Sequence, residues 1–375
     1  MTHEAEAPSQ TPRVLALVPS AGLGGGIEAY FAALSEALSD LGAEIETVEL
    51  QNPQAPLATP LAKARFALRS VSAARRMTRR GDVLLLVLHV GLLPVALLAQ
   101  RVARLLPTRC ALFFYGSEIW GHKGIGGRFA HRAGWRVVTI SSFSAGGLIH
   151  SGPVTVLPPG IPRERYDCLI GGASSDHRSP RDIDILSVFR LDSAESKGAS
   201  ALLRAGDILR RRHPAFSLII AGSGRATKDL HAAVAERRTW VELRENVRFD
   251  DLATLYRRAK VFVLATRSHL STQRGFQGEG FGIVLAEAQL AGSPVVAPCL
   301  GGSSDAYVDG VTGLRPANET AEALAATIDR LLSDDDLLKS MAQNSRRWAM
   351  KTFCSDNYSR RVRELLLALA APSSG

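Results

Sequence analysis

Short apolar runs alternate with stretches of helical spacing from one end of the chain to the other. RVLALVP, EIETVEL, DVLLLVL, CALFFY, RVVTIS and VTVLP come first, then DIDILSVF, FSLIIAG, KVFVLAT and SPVVAP. Strand-like runs separated by helix-length segments predict parallel sheets covered by helices, an α/β fold class. The rhythm breaks once, at PPGIPRERYDCLIGGASSDHRSPRD, where Pro, Gly, Ser and charge predict a linker. The expected layout is a disordered tail over 1–12, an N-terminal α/β domain over 13–160, a linker over 161–182 and a C-terminal α/β domain over 183–352. A last helix over 353–371 is expected to return to the N-terminal domain.

Length and composition agree with two domains. A chain of 375 residues can fill two cores, and 46% apolar with 22% charged residues is ordinary for a globular protein. Cys110, Cys168, Cys299 and Cys354 are scattered without CxxC spacing, which argues against a zinc site and a disulfide framework and fits a reducing cytoplasm. The opening MTHEAEAPSQTP lacks the apolar core of a signal. Residues 83–99, VLLLVLHVGLLPVALLA, are apolar for 17 positions, but His89 and Pro94 interrupt them. They fall short of the roughly 20 residues a spanning helix needs. They are expected as a buried strand, a turn at His89-Val90-Gly91 and a helix start.

Charge changes the picture in one region. Between Leu50 and Ser117 ten Lys or Arg face the single acid Asp82, an excess equal to the whole net charge of +9. Leu57, Leu61, Ala64, Leu68 and Val71 keep helical spacing within it, so a basic amphipathic helix is expected over 57–80. Two readings stay open: a face for an anionic membrane surface or phosphate-bearing acceptor, and a surface helix that uses arginine for solubility. Nucleic acid is disfavoured as a partner, because aromatic residues are 6% and no nucleic-acid motif accompanies the charge.

The chemistry-bearing pattern lies at GEGFGIVLAEAQLAGSPVV, where Glu279 and Glu287 stand eight apart around a Gly-Phe-Gly. The small apolar residues from Ile283 predict a helix that Gly292 stops, which puts Glu279 in the loop and Glu287 in the second turn. Gly280 and Gly282 allow close approach of a ligand to a helix N-terminus, whose N–H groups favour an anion. Flanking carboxylates accept hydroxyls, so a nucleotide-sugar has the matching shape. The plainer reading is a capping acid and a solvated one. Elsewhere, Gly24, Gly25 and Gly26 open a helix after the first strand, and Arg190 and Lys197 follow DILSVF at a strand end and a helix start.

These residues resemble glycosyltransferase family 4, retaining enzymes of the GT-B fold. The likeness is densest from Asp184 to Pro316, in SVFRLDSAESKG, HPAFSLIIAGSG, ATLYRRAKVFVLATRS, GEGFGIVLAEAQLAGSPVVAP and GGSSDAYVDGVTGL. It is thinner in GGGIEAYFAALSEALSDLG, FFYGSEIWG and VLPPGI. The resemblance implies two Rossmann-like domains facing each other across a cleft. It implies that Arg190 and Lys197 carry charge on the donor diphosphate, Glu279 holds the transferred sugar and Glu287 the ribose. Gly280, Phe281, Gly282 and Ile283 would complete the donor pocket, the Gly24 to Gly26 loop would reach the donor, and Tyr115 and Glu118 would meet the acceptor. No metal and no other cofactor is expected.

This chain departs from the family pattern in three places. Tyr115-Gly116-Ser117-Glu118 stands where many relatives have His-Gly ahead of a Glu; NVRFDDLATLY is shorter than usual; SHLSTQRGFQ is longer. The likeness is greatest to bacterial mannosyltransferases of polysaccharide and glycolipid assembly. The expected activity is therefore hexose transfer, with GDP-mannose the first donor and a UDP-hexose the second, to a saccharide or lipid-linked saccharide. A sugar-nucleotide 2-epimerase and a non-catalytic basic membrane-surface protein are the rivals. A cytoplasmic place, peripheral to the inner membrane face, is the corresponding expectation.

Overall fold

Residues 12–22, 25–54, 56–116, 118–120, 125–171, 181–271 and 275–371 are described by a computed structural model. Most of the expected tail, Gly24, Ser117 and residues 172–180 lie outside the described residues. The chain divides into two units, one of Met1–Pro162 with Ser355–Gly375 and one of Arg163–Cys354.

The first unit begins β1 (Arg13–Ser20), α1 (Gly26–Asp40), β2 (Glu44–Gln51), α2 (Pro60–Thr78), β3 (Val83–Val87) and α3 (Leu93–Ala103). It continues β4 (Cys110–Phe114), α4 (Ile125–Arg132), β5 (Arg136–Thr139), α5 (Ser142–Gly147) and β6 (Val154–Val156). The strands form one parallel sheet in the order β2-β1-β3-β4-β5-β6. β3 and β4 are buried along their whole length, as expected for strands covered on both faces. The stretch 83–99 is a strand, then a short turn over Val90–Leu92, then the start of α3; His89 Nδ1 accepts from the N–H of Gly91 at 3.1 Å.

Helix α2 is present, but its leucine stripe faces outward. Phe66, Ala73, Ala74 and Met77 are buried, whereas Leu61 and Leu68 are 60% and 73% exposed. The helix carries two apolar stripes, and the one with small residues lets it lie closer on its neighbours.

The second unit runs α6 (Arg163–Ile170), β7 (Ile183–Val188), α7 (Ala199–Leu209), β8 (Leu218–Gly222), α8 (Lys228–Ala235), β9 (Val241–Glu245) and α9 (Phe249–Arg258). Then come β10 (Ala259–Val263), a hairpin of β11 (His269–Ser271) and β12 (Gly275–Gln277), α10 (Ile283–Leu290), β13 (Val295–Val296), β14 (Gly313–Leu314), α11 (Ala321–Leu332) and α12 (Asp335–Thr352). Its main sheet is parallel, in the order β14-β13-β10-β7-β8-β9. The first part of the expected linker is thus helical: α6 packs on α9 and α10. With Leu169 its one fully buried residue, eight residues show too little periodicity to reveal it. The final helix, α13 (Ser355–Ala370), belongs to the first unit, packs on α1 and buries Tyr358, Val362, Leu365, Leu366 and Leu369. At about 1.5–3 kcal/mol for each large apolar side chain, that face is a sizeable part of the unit's core.

Candidate functional site

In the second unit, β7 lies between β8 and β10, so sheet growth reverses direction between β7 and β10. At such a switch point the loops leaving the carboxyl ends of the two strands diverge and open a crevice. The loop after β7 carries Arg190 and Lys197, and the segment after β10 carries Thr266 and Glu279. The topology alone brings these residues to one end of the sheet.

Lys197 and Glu279 meet there. Lys197 Nζ donates to Glu279 Oε2 at 2.9 Å, with 27% and 13% of the two side chains exposed. The hydroxyl of Thr266 donates to the same oxygen at 2.8 Å. Burial pushes the Glu279 carboxyl up, but the Lys197 charge and the hydrogen bonds from Lys197, Thr266 and the N–H of Gly280 together hold it below its ordinary value. Glu279 is therefore an ionised acceptor in a largely dry place.

The backbone around it is fixed by glycine. Gly198, at φ +75°, begins α7 so close to the segment after β10 that a Cβ would lie 1.9 Å from the carbonyl oxygen of Ala265. Gly301, at φ +112°, lies against the Glu279 backbone, and the N–H of Gly302 donates to the Glu279 carbonyl at 2.7 Å. Gly282, at φ +79°, caps α10, so the first N–H groups of that helix open next to the Glu279 loop. Phe281 points its ring inward, edge-on to Phe353 with centroids 6.3 Å apart, which leaves Gly280, Phe281, Gly282 and Ile283 to offer backbone.

Glu287 lies deeper, 3% exposed, in the second turn of α10. Tyr256 of α9 donates to its Oε2 at 3.0 Å, and the Arg165 guanidinium of α6 lies 3.6 Å from its Oε1. Burial raises this carboxyl above its ordinary value, only partly offset by Arg165 and Tyr256. Two glutamates eight residues apart are thus pushed in opposite directions by their surroundings, a pattern that separates roles. Arg190 is 64% exposed and pairs with Asp192 at 2.7 Å, so it stands at the mouth rather than in the Lys197 cluster.

In the first unit Gly24 lies outside the described residues, while Gly25, at φ +128°, and Gly26 open α1 with empty space where a Cβ would go. Tyr115 follows β4, and its hydroxyl is buried without a hydrogen-bond partner among the described residues. Its ring packs edge-on to Tyr30, which donates to the carbonyl of Leu157 at 3.1 Å. Glu118 turns its carboxylate onto its own loop, accepting from the N–H groups of Tyr115 and Gly116. The structure gives it the work of holding that turn, because a buried acid is drawn to the nearest unpaired backbone donors. Sequence reasoning missed Thr266, Tyr256 and Arg165. The first two lie inside ATRS and ATLYRRAK, at the end of a strand-like run and in a helix-like one, and Arg165 lies in the stretch whose composition predicts a linker.

Residues 175–348 match the family model described as "Glycosyl transferases group 1". The D-inositol 3-phosphate glycosyltransferase of Salinispora arenicola is 32% identical over 181 residues, covering 45% of this chain and 37% of that protein. The GDP-mannose-dependent alpha-(1-6)-phosphatidylinositol monomannoside mannosyltransferase of Mycolicibacterium smegmatis is 33% identical over 179 residues, covering 46% and 44%. The chain thus spans less than half the length of these two relatives. HepE of Anabaena, solved with UDP and glucose, superimposes with a TM-score of 0.67 over 94% of this chain and 98% of that one, at 18% identity. That likeness is one of fold, two parallel-sheet α/β domains of the GT-B class. Over residues 175–348, a little under half of the chain, the likeness is thus to the group 1 glycosyl transferases.

Proposed function

We propose that the chain is a retaining glycosyltransferase that moves a hexose from a nucleotide-diphosphate sugar to a saccharide or lipid-linked saccharide. The observation that carries this reading is the Lys197–Glu279–Thr266 cluster at the β7/β10 switch point, beside the opening of α10. Glu279, ionised and acceptor-only, suits sugar hydroxyls. Lys197 and Arg190 supply cations for the departing diphosphate, and the α10 N–H groups add to them. Side chains and backbone provide the leaving-group charge, so the reaction proceeds without a metal. The acceptor hydroxyl then attacks the oxocarbenium-like sugar from the face the diphosphate leaves and gives its proton to that diphosphate, which retains the anomeric configuration.

GDP-mannose is the first donor and a UDP-hexose the second. The printed name of the Mycolicibacterium relative supports the first, and the UDP and glucose in the Anabaena structure support the second. Thermal shifts with a panel of GDP- and UDP-sugars, followed by mass spectrometry of products with and without acceptor, test the reading. A shift with one donor and transfer only in the presence of acceptor support it. Equal, negligible shifts contradict it, and conversion of the donor without acceptor turns it into an epimerase.

A second partner, an anionic membrane surface at the inner face of the cytoplasmic membrane, is supported by α2. At 100° per residue Leu61, Arg65, Leu68, Arg75 and Arg79 form one outward stripe. All five are exposed, and Leu57 beside them is 71% exposed. Arg69, Arg76 and Arg80 lie on the flank and pair with Glu49, Glu46 and Glu44 of β2, which leaves Arg65, Arg75 and Arg79 without an ion pair among the described residues. Leucines among unpaired arginines suit an anionic interface. Among the described residues no helix is long and apolar enough to cross a membrane. Cosedimentation with phosphatidylglycerol vesicles but not phosphatidylcholine vesicles, abolished by joint Arg65→Glu, Arg75→Glu and Arg79→Glu, is the expected result; equal binding by that variant contradicts it.

A further inference from the structure

We infer that Arg165 is a positioning residue for the nucleotide end of the donor, holding the Glu287 carboxylate ready to accept a pair of ribose hydroxyls. The inference rests on the reading of Glu287 as the ribose acceptor. Three observations converge on it. The guanidinium of Arg165 lies over the ring of Phe249, 4.6 Å from its centroid, so the side chain is held by a face rather than left to wander. From that seat it faces Glu287 Oε1 at 3.6 Å, an ion-pair contact too long for a normal hydrogen bond. Tyr256 meanwhile occupies the other oxygen at 3.0 Å.

The two partners therefore divide the carboxylate between them. Tyr256 fixes its orientation from α9, and Arg165 neutralises it from α6 while leaving Oε1 able to accept. A carboxylate this buried needs such a countercharge to stay ionised, because burial strips it of solvation. The helices and strand packed on α10 are α6, α9, α12 and β13. Among their charged groups, Arg346 of α12 is directed at the carbonyls of Leu290 and Ile170, Arg257 of α9 at the carbonyl of Cys168, and β13 has no ionisable residue. Arg165 is the cation that acts on Glu287, with Tyr256 beside it. It is 41% exposed, so its removal opens no cavity in the core.

The experiment is calorimetry of GDP and UDP binding to the full chain from about pH 5 to about pH 8, for wild type, Arg165→Met, Arg165→Lys and Glu287→Gln. For the nucleotide that wild type binds, Arg165→Met is expected to bind about tenfold more weakly at neutral pH, the scale of one lost charge-assisted contact. Its binding should be regained only at higher pH than in wild type, because Glu287 then releases its proton later. Arg165→Lys should recover most of the affinity and the wild-type profile, which a purely structural role for the Phe249 stacking would not give. Wild-type affinity and profile in Arg165→Met, with Glu287→Gln impaired, overturn the inference alone. Wild-type affinity in Glu287→Gln overturns the ribose reading and the inference with it. A melting curve for each variant separates loss of fold from loss of binding.

Discussion

Replacing Lys197 by methionine keeps the aliphatic stem and removes the charge that lies 2.9 Å from Glu279 Oε2. Breaking a fully buried ion pair costs about 3–5 kcal/mol and an exposed one about 0–1 kcal/mol. With 27% of the lysine and 13% of the glutamate side chain exposed, and with Thr266 and the Gly280 N–H still on the carboxylate, the pair lies between these limits. A loss of about 2 kcal/mol at neutral pH is expected. For a unit of this size that is a fall in Tm of roughly 4–8 °C by scanning calorimetry. The pH dependence identifies the cause. Glu279 is held below its ordinary carboxyl value in wild type, so its contribution is present above the unfolded value of 4.5 and is lost as pH falls through the folded one. In Lys197→Met burial dominates and the carboxyl rises, so the cost of the substitution is largest near neutrality and shrinks in acid. Adding Glu279→Gln should cancel most of it, and kcat should fall by roughly a hundredfold or more in Lys197→Met, as for loss of a preorganised electrostatic group. A cost that is the same at all pH values, or the same on the Glu279→Gln background, refutes the pairing argument.

Glu287 is raised above the ordinary value of 4.5, so the unfolded chain releases this proton first; wild type should lose stability relative to Glu287→Gln as pH rises from about that value through the folded one. Melting curves of both proteins across pH read this directly, and a difference of the opposite slope contradicts it. Gly198→Ala should be destabilised by more than about 3 kcal/mol or fail to fold, because φ is +75° and the added Cβ would sit 1.9 Å from a backbone oxygen; a soluble variant with an unchanged Tm would refute the close approach of Gly198 to Ala265. On the proposed mechanism, in which Lys197, Arg190 and backbone N–H groups supply the positive charge, transfer should survive excess EDTA; loss of activity restored by magnesium or manganese would point to another mechanism.

Much of the fold was legible because its signals are local. Helix α10 reads directly from GIVLAEAQLAG, where small apolar residues follow one glycine and precede another, and the buried strands read as unbroken Val, Leu, Ile and Phe. Strand β9 was not among the expected strands: VELRE buries only Val241, as an edge strand can, and its three charged residues interrupt the apolar signal. The antiparallel pair β11 and β12 lies in SHLSTQRGFQ, seen in the sequence only as extra length; residues 272–274 lie outside the described residues. Spacing cannot choose between two apolar stripes on one helix, so the outward leucines of α2 emerged only from its packing. Of the site, the loop and helix places of Glu279 and Glu287 followed from periodicity. Their partners did not, because Thr266, Tyr256 and Arg165 reach them across the fold from other elements.

Calorimetry of Glu279→Ala and Glu287→Ala with the free nucleoside diphosphate asks whether the two glutamates divide sugar and nucleotide between them. If Glu287 receives the ribose, Glu287→Ala weakens that binding by about 1–3 kcal/mol, the scale of hydrogen bonds to a charged acceptor. If Glu279 holds the transferred sugar, Glu279→Ala leaves nucleotide affinity nearly intact while transfer is impaired, because the lost contacts are to the part of the donor that reacts. Equal nucleotide affinities in the two variants, each with a wild-type melting curve, would contradict the assignment.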